Sequence, residues 1–261
     1  MRVLNAPCFI VSDLHLGATS PEVEKQFLGF LRALPGRAGS LVVNGDLLDF
    51  WFEWRTVVPR RGFRVLAALA DLVDAGIPVL WIAGNHDCWG GEIVREDAGV
   101  DYHVGAWEGG IAGWRSIVEH GDGLRVVEDR RYRRLRVVLR HPAAVKAMRL
   151  LHPDVGTWLA STSSNASREH RALDGGQGLR AIALDRLASP QAPDLVVFGH
   201  SHVAALERAP GGGVYANAGS WLEELTFLVV TPQRVELRRW NGSAEGERLD
   251  ALDRGAEEAL T

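Results

Sequence analysis

With 261 residues, 46% of them hydrophobic, the chain is long enough for one large globular domain around a single core, with or without an insertion. A formal net charge of −4 excludes a whole-molecule attraction to nucleic acid or to an anionic membrane, so any basic surface must be local. Two cysteines, Cys8 and Cys88, argue against a disulfide framework, and no window approaches the ~20 apolar residues of a membrane span, so a reducing, cytoplasmic setting is expected.

Cys8 to Ser12 reads as a first strand that delivers Asp13 and His15 at alternate positions of an extended segment, both side chains pointing the same way. Pro21 opens a helix to Leu34, with Phe27, Phe30 and Leu31 at helical spacing. Leu41 to Val43, a short apolar run with two β-branched residues, suits a buried strand. Gly45 then permits a sharp turn, and Asp46 lands at the strand's C-terminal end, where open α/β sheets put ligands. The aromatic run Phe50 to Trp54 reads equally as core filling and as a wall beside a site, with Arg55 reaching a phosphate.

Phe63 to Ala75 has helical spacing, and Ile77 to Ile82 is a third strand running into Gly84-Asn85-His86-Asp87. A helix from Gly91 to Asp97 and short strands at Val100 to His103 and Trp114 to Glu119 follow, the last ending at His120. The composition then changes. From Leu124 to Arg140 there are seven arginines against two acids, and then an apolar stretch to Leu151, Trp158-Leu159 and a polar run. We read 124–175 as an inserted helical cap, basic on one face and apolar on another; an ordinary solvated helix pair is the plainer alternative.

Gly175-Gly176 returns the chain to a helix through Leu187, and Asp194 to Phe198 is a strand leading to Gly199-His200-Ser201-His202. Four further strand-like runs, at Val203 to Leu206, Val214 to Ala216, Leu225 to Val230 and Val235 to Leu237, suggest a second, mostly antiparallel sheet. A fraying polar tail is expected after Asn241. The alternation predicts an α/β fold: a four-layer αββα sandwich, one domain over 1–261 with the cap inserted.

Five segments thus end in Asp, Asn or His at strand termini. Each alone is more often a structural polar turn, but all five in this order point to a site rich in oxygen and nitrogen with Asp46 at its centre. Hydrolysis of a phosphate ester or anhydride needs a nucleophilic hydroxide and a sink for negative charge, which two metals about 3.5–4 Å apart supply. Asp46 is the expected bridge, each of its oxygens reaching one metal; Asp13 and His15 would join one site with a distant His, and Asn85 with two more His the other. Mixed ligands suit Mn²⁺, Fe or Zn²⁺ better than Mg²⁺. His86, pointing differently from Asn85, is left to protonate the leaving group or stabilise the transition state, with Asp87 orienting its ring.

These motifs resemble those of the calcineurin-like metallophosphoesterases, D-x-H, GD-x-x-D, GNH-D/E, a later H and GH-x-H, over about residues 8–230. The resemblance implies a first metal set of Asp13, His15, Asp46 and His202, a second of Asp46, Asn85, His120 and His200, and His86 as the catalytic histidine. It also implies two divalent ions, Mn²⁺ or mixed iron and zinc. A narrower resemblance rests on Ser12 to Gly17, Gly45 to Phe52 with Arg55 to Pro59, His120 to Gly123, and the basic cap before His152-Pro153. It points to the bacterial UDP-2,3-diacylglucosamine diphosphatases of lipid A synthesis, although some of those have Arg where this chain has His86. That likeness implies cleavage of the pyrophosphate to UMP and a diacylglucosamine 1-phosphate. It also implies a nucleotide-linked lipid as substrate, and an apolar, basic cap is suited to rest transiently on the cytoplasmic face of the inner membrane from which that lipid is drawn. Arg55, Ser164, Asn165 and Arg168 are candidate substrate contacts. Competing readings are another phosphodiesterase or nucleotide pyrophosphatase of the same superfamily, a nuclease, for which the acidic net charge is unfavourable, and a scaffold that kept the fold without the chemistry.

Overall fold

A computed structural model describes residues 2–159 and 174–255. Among the described residues thirteen strands form two mixed sheets. The first strands are β1 (Val3–Leu4), β2 (Cys8–Val11), β3 (Ser40–Asn44), β4 (Val79–Ile82) and β5 (Asp101–His103). Next come β6 (Trp107–Ile111), β7 (Trp114–Val118) and β8 (Leu195–Phe198), and then β9 (Ala205–Arg208) and β10 (Val214–Asn217). The last are β11 (Thr226–Val230), β12 (Arg234–Arg239) and β13 (Glu247–Asp253). One sheet runs β1-β6-β7-β8-β10-β9 and the other β13-β12-β11-β2-β3-β4-β5. Helices α1 (Pro21–Ala33) and α2 (Phe63–Asp74) cover the seven-stranded sheet, and α5 (Gln177–Leu187) covers the six-stranded one. Between them, α3 (Arg130–Leu139) and α4 (Pro142–Leu150) stand outside the sheets.

The layers follow from strand alternation, because neighbouring residues of a strand face opposite sides of its sheet. Phe9 and Val11 of β2 pack with Phe27, Phe30 and Leu69 of α1 and α2, whereas Cys8 and Ile10 turn to the other sheet. There they meet Trp114, Val118, Leu195 and Val197. Val196 and Phe198 of β8, facing outward from that sheet, pack on Leu179, Ala183 and Leu187 of α5. Three cores therefore fill the three gaps of an αββα sandwich.

Two expectations change. The strands after Val203 do not make a sheet of their own: β9 and β10 extend the six-stranded sheet, while β11 pairs antiparallel with β2 and brings β12 with it. The pairing is set by which face of each run is apolar against strands ~200 residues earlier, a non-local fact. Within the described residues the tail after Asn241 does not fray, since β13 closes the sheet edge on β12, with a register shift at Leu237/Arg238. The turn before it has Gly246 against Phe227.

Helices α3 and α4 bury no residue, and Leu135, Val137, Val138 and Leu150 are exposed among their arginines. Residues 153–159 are also helical. Among the described residues no helix is long and apolar enough to cross a membrane.

Candidate metal centre

The C-terminal ends of β2, β3, β4, β7 and β8 converge, as the motif order requires. Among the described residues three side-chain groups result, each with its ligand atoms within 4.8 Å of one another: Asp13, His15 and His202; Asp46, His120 and His200; and His15, Asp49 and His86. Asp46 Oδ2 lies 3.2 Å from His120 Nε2 and 3.7 Å from His15 Nε2, so this one oxygen faces both of the first two groups. The bridge differs from the expected two-oxygen form because Oδ1 accepts the His86 N–H at 3.0 Å. His202 Nε2 is 3.4 Å from Asp13 Oδ1 and 3.3 Å from His15 Nε2.

Asp13 and His15 do not lie on an extended segment. The strand ends at Val11, and both adopt left-handed backbone, with φ 54° and 47°. Asp46 (φ 51°), His200 (φ 62°) and His202 (φ 59°) do the same, so five of the seven non-glycine residues with positive φ among the described residues belong to this cluster. Such conformations cost of order 1–3 kcal/mol each and persist where the surroundings over-determine them, typically at functional sites. Here the turns are tied to one another: Leu14 and His15 N–H both donate to the Asp46 carbonyl at 2.9 Å, and His200 N–H donates to Asp13 Oδ2 at 3.0 Å. Two glycines make the convergence possible. A Cβ on Gly45 would sit 2.2 Å from His120 Nδ1, and one on Gly84 2.1 Å from Asp46 Oδ1.

The donor set fits divalent ions on the structure's own terms. Asp13 Oδ1, Asn85 Oδ1 and His120 Nε2 are buried atoms without a hydrogen-bond partner, an arrangement that is costly unless something electropositive completes it. His120 Nδ1 donates to the Asn44 carbonyl at 2.9 Å, which fixes the ring and aims Nε2 at Asp46. The charges are strongly coupled. Burial pushes the Asp46 carboxyl up, but the His120, His86 and His15 imidazoles outweigh it and hold it well below the usual range. Burial likewise lowers His120, yet Asp46 and Asp13 raise it well above its ordinary value. Burial dominates at His15 and at His200 and lowers both. A cation seated among them would compete for the proton on His120.

His86 stands apart from the two expected ligand sets. Its Nδ1–H donates to the Asp49 carbonyl at 2.9 Å, and the Asp49 carboxylate is 3.6 Å away, so the ring is fixed with Nε2 as its working atom. The expected role of Asp87 is corrected. Its carboxylate is taken up by Gly84 N–H (2.7 Å), Leu47 N–H (2.8 Å) and Trp81 Nε1–H (3.2 Å), locking the Asp46 turn to the Asn85 turn. Burial, then Asp46, pushes it up to about 6. Asp49 is the residue that orients His86; its place in the Gly45-Asp46-x-x-Asp49 motif was the available signal.

Arg55 is exposed beyond the Asp46 turn, outside the cluster. Ser164, Asn165 and Arg168 lie outside the described residues. The aromatic run resolves mostly as packing: Trp51, Phe52 and Trp54 are buried, and Trp54 and Trp89 flank Phe52.

A buried cluster of carboxylates, an amide and imidazoles at converging strand ends of an αββα sandwich defines a metal-dependent hydrolase of phosphoric esters or anhydrides. The chain belongs to the calcineurin-like phosphoesterase family, whose model matches residues 6–204. Among its relatives is a UDP-2,3-diacylglucosamine hydrolase of Porphyromonas gingivalis, 28% identical over 77% of this chain and 84% of that protein. A UDP-2,3-diacylglucosamine hydrolase of Stenotrophomonas maltophilia is 29% identical over 88% of this chain and 95% of its own. The structure of Vacuolar Protein Sorting 29 from Cryptosporidium parvum aligns at 12% identity over 94% of this chain and 95% of that one, with a TM-score of 0.44.

Proposed function

We propose that the protein hydrolyses the pyrophosphate of UDP-2,3-diacylglucosamine, releasing UMP and 2,3-diacylglucosamine 1-phosphate. The observation that carries this reading is an apolar, arginine-rich pair of helices beside the metal cluster. The same activity names relatives that align over most of their length. A substrate with a diphosphate and two acyl chains calls for cations next to apolar surface. Residues 124–175 act as the cap of a single domain, and Arg55, Ser164, Asn165 and Arg168 are the candidate contacts to the nucleotide sugar.

Asp13, His15, Asp46 and His202 would hold one ion and Asp46, Asn85, His120 and His200 the other; Mn²⁺ is our choice, with Fe or Zn²⁺ as alternatives. Such ions supply an acidified water and a sink for phosphoryl charge. The chain's own residues do the rest. Asp46 Oδ2 serves both groups while its Oδ1 keeps the His86 backbone in place. His86, its Nδ1–H held by the Asp49 carbonyl, presents Nε2 to protonate the leaving oxygen or to stabilise charge on it. Asp87 keeps the two turns in register. Val137, Val138, Leu150 and Trp158, exposed near Arg133, Arg134 and Arg149, would rest on an anionic membrane surface from which the lipid is drawn.

The test is UMP release by purified protein with Mn²⁺ from UDP-2,3-diacylglucosamine and from UDP-glucosamine without acyl chains, beside p-nitrophenol release from bis-p-nitrophenyl phosphate. Strong preference for the acylated substrate is expected. Turnover of only the chromogenic ester would leave another phosphodiesterase of this family as the reading.

A further inference from the structure

Helix α3 is arginine-rich and buries nothing, yet it is held at one defined place. Tyr132, Arg136 and Arg140 recur every four residues and so form one stripe along the helix. The whole stripe meets a single buried carboxylate, Asp122. Tyr132 O–H donates to Asp122 Oδ2 at 2.6 Å, and Arg136 Nη1 donates to the same oxygen at 3.2 Å and to the Asp122 carbonyl at 2.9 Å. Arg140 Nη2 is 3.5 Å from that oxygen and 3.4 Å from the Gly84 carbonyl. Asp122 is two residues beyond His120, and Gly84 directly precedes Asn85. One guanidinium therefore touches the loops that carry two of the expected ligands of the second metal.

Two indoles add to the joint. Trp89 Nε1–H donates to the carbonyl of Leu139, the last residue of α3, and Trp54 Nε1–H to the carbonyl of Leu151, which ends α4. Both are orphan carbonyls of helix C-termini, and both donors come from segments that follow metal-bearing turns. At the root of the insertion Arg125 ties Asp129, at the start of α3, to Asp174, where the chain returns to α5. A helix pair resting on the core by ordinary solvated contacts would not require a buried acid shared by three donors from one face.

We infer that Asp122 is a positioning residue: its carboxylate, gripped by Tyr132, Arg136 and Arg140, sets where the α3–α4 cap sits over the metal-bearing turns and thereby how a substrate that spans cap and metals is aligned. This rests on the proposal that the cap reads the substrate. A small ester that needs only the metals does not depend on the joint.

The experiment compares wild type with Asp122→Asn and Tyr132→Phe, all in the full chain with Mn²⁺, by metal content, hydrogen exchange, and kcat/KM on UDP-2,3-diacylglucosamine and bis-p-nitrophenyl phosphate. Asp122→Asn is expected to keep its metals and to lower kcat/KM on the lipid substrate by about tenfold or more, the scale of one lost charge-assisted hydrogen bond. On the small ester the change should stay within about threefold, and amides of 130–139 should exchange at least about tenfold faster. Tyr132→Phe, which removes one hydroxyl and is compatible with folding, should shift the same readouts less. Unchanged exchange in α3, or equal loss on both substrates, would overturn the inference. If wild type does not turn over the lipid, the proposed substrate fails while the exchange arm still decides the joint.

Discussion

Gly84→Ala isolates the dependence of the site on close backbone approach. The added Cβ would fall 2.1 Å from Asp46 Oδ1 and 2.6 Å from Asp46 N, where real contacts are not below 3.0 Å, so Oδ1 must retreat by at least 3.0 − 2.1 = 0.9 Å and the backbone N by at least 3.0 − 2.6 = 0.4 Å. Asp46 Oδ2 faces both ligand groups and cannot move that far while serving both. A misplacement of ~1 Å in a reacting geometry costs on the order of 10²-fold in rate, and overpacking adds roughly 1–3 kcal/mol of destabilisation. Gly29→Ala in α1 is the control: its Cβ would meet Trp240 at 3.6 Å, an ordinary contact, and an alanine there should stabilise by about 0.5–1 kcal/mol. The assay is turnover of bis-p-nitrophenyl phosphate with Mn²⁺, beside metal analysis and thermal unfolding. Wild-type kcat and wild-type metal content in Gly84→Ala would refute the reasoning.

Further outcomes follow from the same geometry. His86→Ala should lower kcat by roughly 10²–10⁴, the usual worth of a positioned acid, while both metals stay bound, since His86 lies outside both expected ligand sets; loss of metal would contradict this. Chelation should lower Tm by about 8 °C or more, because ions at a thousandfold excess over Kd add ~4 kcal/mol per site. An unchanged Tm after EDTA would mean that the strained turns are held without metal. Burial pushes the Cys8 thiol up to about 12 from 9.0. In a Cys88→Ser protein, disulfide-reagent labelling of Cys8 at pH 8 should be ~10³-fold slower folded than unfolded. The sign for stability follows: the unfolded thiol ionises first, so the contribution of Cys8 is present below pH 9 and is lost as pH rises toward 12. Rapid labelling of the native protein would contradict this burial.

The parts of this molecule that are written locally could be read from the chain. Leu41 to Val43 with Gly45 and Asp46, or Leu195 to Phe198 with Gly199 and His200, announce a strand, a turn and a candidate ligand within eight residues, and these are the pieces that converge. Strand β6 escaped because Gly109 and Gly110 interrupt its apolar pattern, and β13 because an exposed edge strand of Glu247, Arg248 and Asp250 has no buried face to betray it. The left-handed backbone of Asp13 and His15 escaped because the apolar run gives no sign that the strand stops at Val11. The Asp87 and Asp49 roles depend on which backbone donors fold back onto each carboxylate, and the Asp122 joint on a helix returning ten to eighteen residues later. No spacing rule encodes those.

Metal analysis after Mn²⁺ loading and desalting tests most directly whether two metal groups share Asp46. Wild type should hold about two ions per chain, His200→Ala about one, and Asp46→Ala close to none, since its carboxylate is the oxygen common to both groups. Two ions retained in Asp46→Ala, or a single ion in wild type, would contradict the account.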